Sequence, residues 1–218
     1  MTASSEHSYK SPLDNLSYFV EWGPNSWERL TRYALRNFVG EKNLSGKKVL
    51  EIGCRYGKMT SLFALLGAKV TGLDTNNESL KLAKDEAKKW NVADRVEFIS
   101  YDGDLDVIPD ESFDLIFTKS VLVVIPELEK FLEKLSRKLK SDGQIIFIEN
   151  ARGWGIVHWL RNLKHRSWNF RVAHYFVKED LSVFDSKFEI EEIKRSHLPP
   201  IYMLLGKKRS SSQSIHLS

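Results

Sequence analysis

A single cysteine, Cys54, and the lack of any apolar run long enough to cross a bilayer set the first limits on this chain. One thiol cannot close an intrachain disulfide or build an all-cysteine metal site. A membrane-spanning helix would need about 20 consecutive apolar residues. The opening residues MTASSEHSYK lack the apolar core of a signal peptide, so the cytoplasm is the default location. A concentrated basic stripe is also missing. The net charge is only +4, part of the excess sits in GKKR at 206–209, and elsewhere the charges alternate in sign, as in KLAKDEAKK. That alternation reads as a solvated helix face, and nucleic acid is not expected as a partner. No cluster of Asp, Glu and His at ligand spacing stands out, so no metal is expected.

What remains is a chain of 218 residues with 42% apolar and 28% charged residues, enough for one globular domain with a good core. It is organised around GKKVLEIGCRYG at 46–57. Val49, Leu50 and Ile52 form a short apolar strand, Glu51 lies at its end, and Gly53 and Gly57 flank Cys54, Arg55 and Tyr56. In the following KMTSLFALLGA, Leu62, Leu65 and Leu66 recur at helical spacing and Gly67 stands where a helix would stop. Strand, glycine loop and helix in this order form the ligand-binding corner of open α/β sheets. A dinucleotide site would want G-x-G-x-x-G, with a pyrophosphate on the helix N-terminus. Here the spacing is G-x-x-x-G, and Glu51 suits a ligand carrying positive charge, such as a sulfonium or an amino group.

On these residues the stretch VLEIGCRYG resembles the first motif of the class I S-adenosylmethionine-dependent methyltransferases, an acidic residue followed by G-x-G-x-G. Arg55 departs from it by occupying the middle glycine position, and its side chain is expected to point outward. Three further matches follow in order. The second strand, AKVTGLD, ends in Asp74, placed to accept the hydroxyls of a ribose. The third strand is followed by Asp102-Gly103; the resemblance implies that Asp102, with Asp104 as its competitor, holds the adenine amine while the Gly103 amide meets a ring nitrogen. Ser112-Phe113-Asp114 leads into the fourth strand, read over 110–125, and Lys119 in that strand joins the cofactor-binding set of Glu51, Gly53, Cys54, Gly57, Asp74, Asp102 and Gly103.

The resemblance covers roughly residues 45 to 150. It implies a doubly wound, mostly parallel seven-stranded α/β sheet closed by an antiparallel pair. A cap region is expected over 1–44, the methyltransferase domain over 45–209 with a lid insertion at 151–177, and a disordered tail over 210–218. Asn25 or Ser26 can cap a helix in the cap region, with Leu30, Tyr33, Ala34, Asn37 and Phe38 marking one helical face. A helix from 126 is expected to run until Asp142-Gly143.

The lid segment, dense in aromatics and histidines, admits three readings: lining an acceptor pocket, lying on a membrane surface, or packing against a second subunit. Monomer and homodimer both stay open. The implied reaction moves a methyl group from S-adenosylmethionine to an O or N atom of a small molecule by direct in-line displacement, with His158, His174 and Glu149 as candidate bases. Lipid-linked or macromolecular acceptors, or a cofactor-binding protein without turnover, are the alternatives.

Overall fold

The structure is a computed structural model in which residues 11–21, 25–40, 44–152 and 175–209 are described. The lid segment, with His158 and His174, and the tail 210–218 therefore lie mostly or wholly outside the described residues.

Seven strands form one sheet: β1 (Lys48–Ile52), β2 (Lys69–Asp74), β3 (Val96–Ser100), β4 (Phe113–Lys119), β5 (Leu139–Asn150), β6 (Phe188–His197) and β7 (Pro200–Lys208). Their spatial order is β3-β2-β1-β4-β5-β7-β6. The first five run parallel, and β7 enters antiparallel between β5 and β6. The chain moves outward from β1 to β3 and then returns to lay β4 beside β1. The crevice beyond the carboxyl ends of β1 and β4 is thus the topological switch point, where sheets of this type place ligands.

Helices cover both faces. On one lie α1 (Leu16–Val20), α2 (Ser26–Tyr33), α3 (Lys58–Leu65) and α4 (Asn77–Lys89); on the other, α5 (Leu128–Lys138) and α6 (Leu181–Asp185). Alternate residues of β1 separate into the two cores. Val49 packs with Leu62, Phe63 and Phe117 under the first set, whereas Leu50 and Ile52 join Leu132, Leu135 and Phe147 under the second. With both faces covered, the central strands read as nearly continuous apolar runs.

Local chemistry sets the ends of the elements. Asn25 caps α2 by accepting the Trp27 amide at 2.9 Å. One turn on, Glu28 pairs with Arg32 at 2.7 Å. Past Tyr33 the helix widens into a π turn over Ala34–Val39, which carries Leu35 and Val39 into the core and leaves Asn37 exposed. At the end of α3, Gly67 takes φ +95°, with its amide on the Ala64 carbonyl and the next amide on that of Phe63, so the glycine does end the helix as expected.

The expected stop at Asp142-Gly143 is corrected: α5 ends at Lys138 and the strand begins at Leu139. The amides of Glu111 and Ser112 take the Arg137 and Lys138 carbonyls, so the chain leaves the helix early. The fourth strand is likewise shorter than 110–125, because Ser120 turns with φ +58° and a 3-10 turn follows at Leu122–Val124.

Candidate active site

The corner after β1 is built by backbone geometry. Gly53, Arg55 and Gly57 all have positive φ, at 73°, 46° and 69°. The amides of Gly53 and Cys54 both reach the Leu73 carbonyl, at 2.7 and 3.0 Å, and fold the loop over the end of β2. A Cβ on Gly53 would come within 2.3 Å of a Val121 methyl, so only glycine fits. Arg55 keeps the left-handed turn of the glycine it replaces, and its exposed guanidinium lies over the Tyr56 ring at 4.9 Å. Its amide donates to Asp74 Oδ2 at 2.7 Å.

Four charged residues stand along the carboxyl edge of the sheet. In spatial order they are Asp102 beyond β3, Asp74 ending β2, Glu51 in β1 and Lys119 ending β4. With neighbouring strands about 4.8 Å apart, this row suits an elongated ligand with a positive group near the β1 end. The cleft between β1 and β4 is lined by Glu51, Lys119, the loop Gly53–Arg55 and Lys58, together with Phe19 and Glu21 from the cap. Asp74 sits on the other side of the loop, 8% exposed, and also accepts the Asn76 amide at 2.9 Å. Two lone pairs remain on this carboxylate for a diol. Asp102 and Gly103 are exposed beyond β3, and Gly103 has open space around its Cα.

Burial governs the electrostatics. Loss of water pushes the Glu51 carboxyl up to about 7, opposed by the Thr60 hydroxyl that donates to it and by Lys119, and helped by Asp74 and Glu21. Burial pulls Lys119 down to about 8, while Glu21 and Glu51 hold its proton on. Cys54 is buried, and desolvation followed by the negative Glu51 and Asp74 raises its thiol far out of the reactive range. Its side chain packs beneath the loop against Gly72, so what it offers a ligand is backbone.

The cap region expected over 1–44 does line the cleft, through Phe19 and Glu21, but its individual contacts could not be read from the sequence. Lys119 Nζ donates to the Val20 carbonyl at 2.6 Å, and Glu21 pairs with Lys58 at 3.4 Å. Tyr18 fixes this segment from behind: its hydroxyl donates to Glu86 at 2.7 Å and two lysines, Lys58 and Lys89, lie over its ring. The only hint in the sequence was the run Tyr18-Phe19-Val20-Glu21, which reads equally well as core.

One candidate base and one matched motif stand apart from the cleft. Glu149 is wholly buried, so it does not face the cleft as a base open to an acceptor. It accepts the Thr118 hydroxyl at 2.8 Å and the Val121 amide at 3.3 Å. Asp114 of the Ser-Phe-Asp match lies at the opposite edge, where it takes the Lys48 amide at 2.8 Å and pairs with Lys140 at 2.9 Å. That motif ties β4 to β1 and β5.

The family model described as "Methyltransferase domain" matches residues 50–147, which contain the whole corner and its row of charges. Residues 50–147 thus carry a methyltransferase domain, similar to those of S-adenosylmethionine-dependent methyltransferases. The chain is 27% identical over 159 residues to a fatty-acid O-methyltransferase of Mycolicibacterium smegmatis, covering 67% of this chain and 57% of that protein. It is 31% identical over 140 residues to a sterol 24-C-methyltransferase of Gibberella zeae, covering 61% of this chain and 34% of the relative. The chain thus spans between a third and three fifths of the length of these relatives. Its fold matches a solved S-adenosylmethionine-dependent methyltransferase from Mesorhizobium loti with a TM-score of 0.70 and 18% identity, covering 90% of this chain and all of that one. Among the described residues, no helix is long and apolar enough to cross a membrane and no group of three His, Cys, Asp or Glu side chains could hold a metal ion.

Proposed function

We propose that this protein methylates an oxygen or nitrogen atom of a small, largely apolar acceptor with S-adenosylmethionine as donor. The observation that carries the reading is the pairing of Glu51 with the left-handed loop Gly53–Gly57, with Asp74 behind it. Bound there, the cofactor would supply an activated methyl group on a sulfonium. Glu51 would hold its ammonium end, the free lone pairs of Asp74 its ribose hydroxyls, and Asp102 with the Gly103 amide its adenine. Glu51 engages the Thr60 hydroxyl and still lines the cleft, which fits that role. Lys119, beside Glu51, matches the carboxylate of the same amino-acid end.

The apolar acceptor is supported by the fatty-acid and sterol enzymes among the relatives. These differ in the atom methylated, and oxygen is favoured by the relative that aligns with more of this chain. Catalysis by the chain's own residues is then mainly positioning of the two reactants at attack distance. His158 and His174 keep their standing as candidate bases for a hydroxyl acceptor. The test is calorimetry with S-adenosylmethionine and, separately, NADH, followed by transfer of labelled methyl to a panel of fatty acids, phenols and amines. Binding of the first cofactor alone and labelling of a hydroxyl or carboxyl acceptor are expected. Binding of NADH alone would overturn the reading.

A further inference from the structure

Glu149 is a fully buried carboxylate on β5, outside the cleft, and an isolated charge in such a place requires a reason. Its surroundings supply one. Burial raises it to about 7, while the Thr118 hydroxyl and the amides of Leu122, Val121 and Val123 favour its charged form. Those amides belong to one turn, 120–124, which leaves β4 just after Lys119. The turn starts from Ser120 in the left-handed region, where a side chain is disfavoured, and it needs outside support to persist. Two other ties come from the same strand: the Ser120 amide donates to the Ile148 carbonyl at 2.9 Å, and the Asn150 side-chain amide donates to the Ser120 hydroxyl.

The turn in turn supports the ligand loop. The Val121 methyl fills the space a side chain on Gly53 would occupy, so the two are in direct contact. Glu149, the Val121 amide, the Val121 methyl and Gly53 therefore form a continuous line from the back of the sheet to the cofactor corner. One carboxylate oxygen, Oε2, is buried without a hydrogen-bond partner.

We propose that Glu149 is a positioning residue whose carboxylate holds the 120–124 turn so that Val121 buttresses Gly53 and keeps the cofactor loop in its binding shape. The inference rests on the methyltransferase reading, because the corner it supports is the one assigned to S-adenosylmethionine. It replaces the role of general base for this residue. A buttress acts through geometry, so an uncharged side chain of the same shape can serve, whereas an apolar one that accepts no hydrogen bonds cannot.

The experiment is calorimetric titration of the full chain with S-adenosylhomocysteine, for wild type, Glu149→Gln, Glu149→Leu and Val121→Ala, with folding checked by circular dichroism. Wild-type binding tests the functional reading by itself, and the variants test the buttress against it. Glu149→Gln is expected to stay within about twofold of wild type, because its carbonyl oxygen still accepts from Thr118 and Val121, while Glu149→Leu loses about tenfold or more. Val121→Ala, which leaves the carboxylate and its bonds in place, is expected to lose about fivefold. Wild-type affinity in a folded Glu149→Leu protein would reduce the residue to a purely structural one and overturn the proposal. If Glu149→Leu does not fold, Val121→Ala decides alone: unchanged affinity there overturns it.

Discussion

The ammonium of Lys119 donates to the carbonyl of Val20 at 2.6 Å and so joins the tip of β4 to the last turn of α1. The bond closes the cap over the cleft, and the Glu21–Lys58 pair lies beside it. Lys119→Met removes the donor, leaving the Val20 carbonyl short of a bond and Glu21 and Glu51 without the nearby positive charge. Leaving a buried acceptor unpaired costs about 1–3 kcal/mol. Amide hydrogen exchange across 16–21 should accelerate by about tenfold or more, read by mass spectrometry, with the amides of β1 and β4 unchanged. Unchanged exchange in the cap would show that the Tyr18 cluster holds it unaided.

Glu51 gives the cofactor site a pH dependence whose sign follows from its environment. Its pKa rises from 4.5 to about 7 on folding, so between those values the folded chain keeps a proton the unfolded chain has released. Its contribution to stability therefore falls as pH rises through that window. Binding of a cationic ammonium runs the other way, since it needs the carboxylate charged. Affinity for S-adenosylmethionine should climb between about pH 5.5 and about pH 7.5, and Glu51→Gln should flatten that climb as well as weaken binding. Calorimetry at several pH values checks both, and a wild-type profile as flat as that of the variant would take Glu51 out of the ammonium site.

How much of this was legible in the sequence follows from how local each feature is. The corner at 46–57 could be read because an apolar strand, an acid, two glycines and a helix carry their geometry within a dozen residues. Asp74 could be read because a strand end after the first helix has few places to go. The cap's contact with Lys119 spans 99 positions and goes to a backbone carbonyl, which no residue pattern advertises. Glu149 misled for a related reason: an acid at a strand end looks the same in a sequence whether it opens onto a cleft or lies beneath a turn. The early end of α5 was hidden because Leu139 continues the helical spacing, and only the pairing with Phe113 makes it a strand residue.

Arg55 carries the loop's one departure from a glycine pattern, at φ +46°. A left-handed residue with a side chain costs about 1–2 kcal/mol, which Arg55→Gly relieves, while the added freedom of glycine in the unfolded chain takes back about 0.5–1 kcal/mol. Thermal melting should therefore show the glycine variant as stable as wild type or slightly better, with S-adenosylmethionine affinity kept, since the side chain points away. Arg55→Val, with a branched side chain in the same conformation, should be clearly less stable. A large loss of cofactor affinity in the glycine variant would mean that the guanidinium itself touches the ligand.

Asp74 has two tasks, and separating them is the last prediction. Its two oxygens hold the Arg55 amide at 2.7 Å and the Asn76 amide at 2.9 Å, which pins the glycine loop to the start of α4. At 8% exposure it is part of the framework as well as of the cleft. Asp74→Ala leaves both amides without their partner, at about 1–3 kcal/mol for each that water does not reach. Asp74→Asn keeps one acceptor oxygen and should cost about half as much by the same reckoning. Cofactor affinity should fall in both, because a diol prefers the carboxylate. Melting and calorimetry on the two variants read the tasks apart: binding that falls only in step with the loss of melting temperature would make Asp74 structural, whereas binding lost in Asp74→Asn at nearly unchanged stability assigns it to the ligand.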